Sequence, residues 1–237
     1  GSEDTRMIRW IFLDLDDTIL DFGQAEDEAI RKTFSFLGIP PTDETVARYS
    51  AINKAQWEAL ERGELTREEV QVRRFEILFR ELGSAASPEE ARDHYMLALS
   101  REHGFMPFGK ELLDALYGRY KLYIASNGTL SVQTPRIADS GVGRYFDGIF
   151  ISEQLGAVKP QKEFFDACFA AIPDFSPREA VILGDSLSSD ILGGIRAGIR
   201  TCWFTPQGKT GREDIRPDAE IRELPAFLSL LEDWENA

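Results

Sequence analysis

The sequence predicts an α/β protein: a doubly wound parallel sheet with an α-helical bundle inserted into it. Three observations carry this. Short apolar runs alternate with helical stretches through the second half of the chain, the pattern of parallel βαβ units with right-handed crossovers. One further apolar run, Met7 to Ile11, stands alone near the start. Between it and the rest, from about Gln24 to Glu102, the chain reads as helix after helix. The insertion thus follows the first strand. The expected division is residues 1–21 and 105–237 for the α/β core and 22–104 for a helical cap domain.

Each element has a local reason. Met7-Ile8-Arg9-Trp10-Ile11 reads as a buried strand because it is apolar and bounded by polar residues. The first inserted helix runs to Gly38, a C′ glycine followed by Pro40-Pro41. The second begins near Thr42, a loose fit to a capping pattern, and places Val46, Tyr49, Asn53, Trp57 and Leu60 on one face. Thr66 with Glu69 forms a capping box for the third, which Gly83 stops. Ser87-Pro88-Glu89-Glu90 starts the fourth. Four such helices suit a small bundle. Beyond Gly104 the expected strands are 122–126, 148–151, 180–183 and 200–204. Helices are expected over 110–117, 130–139, 162–171, 189–197 and 225–234, with Pro135 delaying or kinking the second of these.

Composition narrows the function. The chain has 237 residues, 43% hydrophobic and 29% charged, as expected of a soluble globular protein. A formal charge of −14 argues against nucleic acid or a membrane surface as the main partner. No apolar run is long enough to span a bilayer, and no signal peptide is evident. Gly1-Ser2 reads as a scar of tag removal, with Met7 as the native start. Cys168 and Cys202 lie in apolar contexts without metal-ligand spacing and read as reduced core residues of a cytoplasmic protein. With only two histidines, a histidine-centred mechanism is not expected.

Polar signals fall just after the strands. Asp14, Asp16 and Thr18 follow the first. Asp14 and Asp16 are two apart, so in extended chain they share a side, and paired carboxylates repel unless a cation lies between them. Such a pair is a divalent-metal site, an acid/base pair, or both; the bland alternative is an acidic turn. Ser126-Asn127-Gly128 follows the second strand, Lys159-Pro160 the third and its loop, and Gly184-Asp185 with Asp190 the fourth. Each alone reads as a turn, a solvated lysine or a helix cap. A parallel sheet brings all four carboxyl ends to one edge, where open α/β sheets bind ligands. A nucleophile candidate, a hydroxyl, a lysine and a second acidic cluster are what phosphoryl transfer with Mg²⁺ requires. Gly208-Lys209-Thr210 looks like the end of a phosphate-binding loop, but Trp203 stands where the opening glycine is needed.

These stretches resemble, in order, the four motifs of the haloacid dehalogenase-like hydrolase superfamily, and the helical insert sits where its first-type cap does. The resemblance implies a Rossmann-like core and a phosphatase mechanism. Asp14 would attack phosphorus to form an aspartyl-phosphate, and Asp16 would act as acid and then base. Mg²⁺ would bridge the Asp14 carboxylate, the Asp16 backbone carbonyl and Asp185. Ser126 and the Asn127 N–H would hold phosphate oxygens, and Lys159 would neutralise charge. Asp190 and Thr18 would support them. The namesake dehalogenases lack an aspartate at the position of Asp16, which favours phosphate esters here.

Ala51 to Trp57, then Gly63, Thr66 and Arg74-Phe75, resembles the pyrimidine 5′-nucleotidase branch, as does Gly193 to Trp203. This implies a small phosphorylated metabolite, a nucleoside monophosphate, as substrate. Asn53 and Arg74, polar residues within apolar arcs, are then candidates to contact base or ribose, with Phe22 or Trp57 stacking on the base. The bland reading is that both polar groups are satisfied inside the bundle. A phosphosugar or phosphoglycolate phosphatase, a sugar phosphomutase, and a non-catalytic phosphoacceptor or scaffold are the competing functions.

Overall fold

The computed structural model describes residues 7–237; Gly1-Ser2 lies outside them. The described chain divides into two compact units. One comprises the chain up to Asp21 with Gly104–Leu130 and Ser140–Ala237; the other comprises Phe22–His103 and Ser131–Asp139.

The first unit is built on a six-stranded parallel sheet. Its strands are β1 (Trp10–Leu13), β2 (Lys121–Ser126), β3 (Gly148–Ile151), β4 (Ala180–Gly184), β5 (Arg200–Phe204) and β6 (Ala219–Ile221), in the order β3-β2-β1-β4-β5-β6. β1 is central. The chain runs outward from it to β3, then returns past it to β4, so the strand order reverses between β1 and β4. That reversal is the topological switch point where such sheets bind ligands. Ile11, Phe12 and Leu13 have no exposed surface, which is why β1 is an unbroken apolar run and not an alternating one. Trp10, Phe12, Tyr123, Ala125, Ala180 and Ile182 share one face by strand alternation. They pack with Phe164, Phe165 and Cys168 of helix α8 (Lys162–Ala170). Helices α5 (Gly109–Leu116), α7 (Ser152–Leu155), α9 (Leu192–Ala197) and α10 (Pro225–Glu235) complete this unit. Where the insert departs and returns, the Asp21 N–H donates to the Gly104 carbonyl at 2.8 Å.

The structure revises several boundaries. β1 starts at Trp10, three residues later than expected, with Met7 and Arg9 exposed. β6 and α7 were not expected. β6 is three residues with Glu220 at its centre, too short and too polar to register as an apolar run. The stretch 189–197 is not one helix: Leu187–Ile191 forms a π-type turn, and α9 follows.

The second unit holds α1 (Phe22–Phe36), α2 (Asp43–Glu61), α3 (Arg67–Leu82), α4 (Pro88–Ser100) and most of α6 (Leu130–Ser140). Thr42 does cap α2, accepting from the Thr45 N–H at 3.2 Å. The Thr66/Glu69 capping box is present in full, and Gly83 ends α3 in the left-handed region. α6 runs through Pro135 without interruption. Its Val132 joins a core of Phe34, Tyr49, Phe75, Leu78 and Tyr95 from the other four helices.

Candidate active site

The switch point gathers the sheet's polar ends. The Asp14 N–H donates to the Leu183 carbonyl at 3.0 Å, carrying β1–β4 pairing one residue past the strand. The chain then doubles back. The Ile19 and Leu20 N–H groups both donate to the Leu15 carbonyl, and the Asp17 N–H to that of Leu20. Asp17 has φ 58°, a left-handed conformation that aspartate tolerates better than most residues. This turn buries the Thr18 hydroxyl 3.5 Å from Asp14 Oδ2. Asp16 is half-buried and bridges to Leu20.

Lys159 is the electrostatic centre. It is 1% exposed, and its ammonium has three donors. These go to Asp14 Oδ1 at 3.1 Å, Asp190 Oδ1 at 2.6 Å and the Ala125 carbonyl at 2.6 Å. Burial works to lower its pKa, but Asp14 and Asp190 outweigh that and raise it above the ordinary lysine range. The Asn127 side chain sets its position. Asn127 Nδ2 donates to the Lys159 carbonyl at 2.9 Å, and the Lys159 N–H returns to Asn127 Oδ1 at 2.8 Å. Ser126, buried at the end of β2, accepts from the Gly128 N–H at 3.0 Å.

The second acidic cluster follows β4. Asp190 Oδ2 accepts from the Ser186 N–H at 3.1 Å. Both of its oxygens are thus engaged, one by Lys159 and one by backbone. A Cβ on Gly184 would lie 2.1 Å from Asp190 Oδ2, so only glycine leaves room for this carboxylate. Burial first, then the charge of Asp14, push the Asp190 pKa up to about 7, while Lys159 pulls it down. Asp185 is held well above the carboxylate range by burial and by Asp14, with Asp190 and Asp17 adding to it.

Asp14, Asp185 and Asp190 each present a carboxylate oxygen, all within 4.8 Å of one another. One ammonium does not balance three carboxylates, and burial together with this surplus raises the pKa values of Asp185 and Asp190. An oxygen-only donor set with excess negative charge fits a hard divalent cation such as Mg²⁺. Asp190 is held at both oxygens by Lys159 and the Ser186 N–H, whereas Asp14 Oδ2 meets Thr18 at a looser 3.5 Å.

The residues expected to set specificity lie in the helical unit. Asn53 and Arg74 are 4% and 3% exposed. Asn53 Nδ2 donates to Glu26 Oε2 at 3.0 Å, and Arg74 Nη1 donates to Asn53 Oδ1 at 3.0 Å. Ser50 donates to the other Glu26 oxygen at 2.7 Å. The Arg74 guanidinium also lies 4.9 Å from the Tyr95 ring centroid. The Asn53 amide is therefore engaged at both ends inside the bundle. Trp57 is half-buried, with the Arg67 guanidinium 5.5 Å from its ring centroid. Phe22, the first residue of α1, packs against the helical core. Sequence reasoning missed Glu26. Its signal was a carboxylate between Ala25, Ala29 and Ile30 on the buried arc of α1.

The haloacid dehalogenase-like hydrolase family profile matches residues 8–198. The chain is 40% identical to YfnB of Bacillus subtilis (strain 168) over 223 residues, covering 94% of this chain and 95% of that protein. It is 34% identical to the pyrimidine 5′-nucleotidase PynA of Streptococcus pneumoniae, over 94% of this chain and 95% of that one. It is 32% identical to the pyrimidine 5′-nucleotidase YjjG of Escherichia coli (strain K12), over 94% and 97%. The magnesium-bound crystal structure of YfnB superposes with a TM-score of 0.91 at 39% identity, covering 95% of this chain and 99% of that one. The chain belongs to the haloacid dehalogenase-like hydrolase family, and it is an enzyme whose relatives include phosphatases and nucleotidases. Among the described residues no helix is long and apolar enough to cross a membrane.

Proposed function

We propose that this enzyme is a Mg²⁺-dependent phosphomonoesterase acting through an aspartyl-phosphate, with pyrimidine nucleoside 5′-monophosphates as preferred substrates. One observation carries the chemistry: a buried lysine shared by Asp14 and Asp190 at the switch point. Lys159 holds Asp14 Oδ1 and Thr18 stands by Oδ2, so the carboxylate is oriented before substrate arrives. Asp14 attacks phosphorus. Asp16 protonates the leaving oxygen and then takes a proton from the hydrolytic water. Ser126 and the Asn127 N–H receive phosphate oxygens, and Lys159 offsets charge that builds on them. Asp14, the Asp16 carbonyl and Asp185 would hold Mg²⁺, which when bound would lend Lewis-acid stabilisation to the phosphoryl oxygens.

The substrate class rests on PynA and YjjG, two pyrimidine 5′-nucleotidases aligned along nearly the whole chain. With the Asn53 amide engaged, Phe22 and Trp57 are the candidates to stack on a base, and Arg74 is the candidate to contact base or ribose. The test is phosphate release from a panel of pyrimidine and purine nucleoside monophosphates, sugar phosphates, phosphoglycolate and para-nitrophenyl phosphate, with and without EDTA. Pyrimidine nucleotides should lead the ranking, and EDTA should stop turnover. A ranking led by a sugar phosphate removes the nucleotidase reading. No release from any ester removes the phosphatase reading.

A further inference from the structure

The turn that carries Asp185 and Asp190 rests on a residue from the neighbouring strand. Trp203 pairs with Gly184 in the β4–β5 register, one step before Asp185. Its indole Nε1–H donates to the Asp185 backbone carbonyl at 2.9 Å. The ring is 2% exposed and shares an apolar cluster with Ile191, against which Leu187 packs; these two residues are the ends of the π-type turn that holds Asp190. Ile215 joins the same cluster. One rigid side chain therefore ties the peptide after β4 by a hydrogen bond and supports the following turn by contact.

We propose that Trp203 is a positioning residue that sets the affinity of the site for its divalent cation. The inference rests on reading Asp14 and Asp185 as cation ligands. Asp14, Asp185 and Asp190 bring carboxylate oxygens within 4.8 Å of one another, and Lys159 is bonded to Asp14 and Asp190, so the crowding of charge bears on the Asp185 end of the turn. The indole bond holds the Asp185 peptide plane against it. Mg²⁺ demands near-ideal octahedral geometry, so an untethered Asp185 carboxylate loses affinity before it loses chemistry. A buried indole N–H needs an acceptor in any case. The structure gives it the backbone of a ligand residue when a solvent or core carbonyl would serve a purely structural role.

The test uses the full-length enzyme and Mg²⁺ alone. Trp203→Phe keeps an aromatic ring and removes the N–H. Replacing Trp203 with its benzothiophene isostere exchanges the N–H for sulfur at nearly constant shape, and this variant decides if Trp203→Phe fails to fold. Calorimetry should give a Mg²⁺ Kd weakened on the order of 10-fold. Turnover of para-nitrophenyl phosphate should recover at saturating Mg²⁺, a rescue that general loosening of the core does not allow. In the wild-type enzyme the Trp203 indole resonance, one of four, should shift with Mg²⁺ at the calorimetric midpoint. An unchanged Kd in the isostere variant, or an indole resonance that ignores Mg²⁺, overturns the proposal while leaving the cation site standing. Absence of Mg²⁺ binding by the wild-type enzyme overturns the cation reading itself.

Discussion

Asp14 takes part in two different balances, and its replacement separates them. Asp14→Asn removes the nucleophile, so turnover should fall below detection. It also removes one of two carboxylates on Lys159, but Asp190 and the Ala125 carbonyl remain, so the variant should fold. Retained activity above a few per cent of wild type (roughly 10²-fold is the least that such a loss should show) would rule out covalent catalysis. In the helical unit, Asn53→Ala should cost about 2–4 kcal/mol, because it strands Glu26 and Arg74 in the core. Thermal melts measure this, and kcat/KM for nucleotide and for para-nitrophenyl phosphate should change together. A loss confined to nucleotides would restore Asn53 as a base contact. Glu26 adds a pH signature. Burial chiefly raises its pKa above the ordinary 4.5. The stability it contributes is then complete below 4.5 and declines as pH rises through the raised value. Glu26→Gln lacks that decline, so its stability relative to wild type should grow from acid to neutral pH. A gap that shrinks instead would mean that Arg74 dominates the carboxylate.

At the scale of elements, the strands were legible where burial on both faces demanded uninterrupted apolar residues, as in Ile11-Phe12-Leu13 and Val181-Ile182-Leu183. Edge strand β6 was not, since an edge tolerates Glu220. The carboxylates and Lys159 were legible because each follows a strand directly or by one loop, and a parallel sheet converts that into proximity. The Trp203 bond and the Glu26–Asn53–Arg74 chain were not, because they join different elements by spatial accident of register and helix phase that no local spacing encodes. Gly184 gives a test at this scale. Its added Cβ would lie 2.1 Å from Asp190 Oδ2 and 2.6 Å from Asp190 Cβ, so strand end and turn must separate. Gly184→Ala should lower kcat by roughly 10- to 100-fold through loss of Asp190 from Lys159. Steady-state kinetics with folded protein confirmed by circular dichroism would check it, and near-wild-type kcat would show that the turn relaxes without consequence.

For the whole molecule, the proposed cation site would link metal to stability. A cation bound only by the folded sheet unit stabilises it by mass action, about 2.7 kcal/mol at 100 times Kd. Mg²⁺ should therefore raise the melting transition and EDTA return it, with Asp185→Asn abolishing the effect. A melt indifferent to Mg²⁺ in wild-type enzyme would contradict the assignment. The division of the chain was only partly legible. Contiguity suggested one insert with two joints, whereas residues 131–139 group with the helical unit. Val132 shows why: its place is in the helical core, a fact about packing that chain order does not carry.

The central place of β1 has a consequence for how the protein is made. Among the described strands it is made first, and it is enclosed only when both of its neighbours exist, β2 and β4, with Lys121 and Ala180 at their starts. At roughly 5–20 residues per second, on the order of ten seconds pass before β2 emerges and longer before β4 does. Until β2 emerges the nascent chain carries Trp-Ile-Phe-Leu with neither edge paired, and from then until β4 with one. A strand whose Ile11, Phe12 and Leu13 have no exposed surface in the finished molecule is thus unpaired for much of synthesis, and translation speed sets the length of that interval.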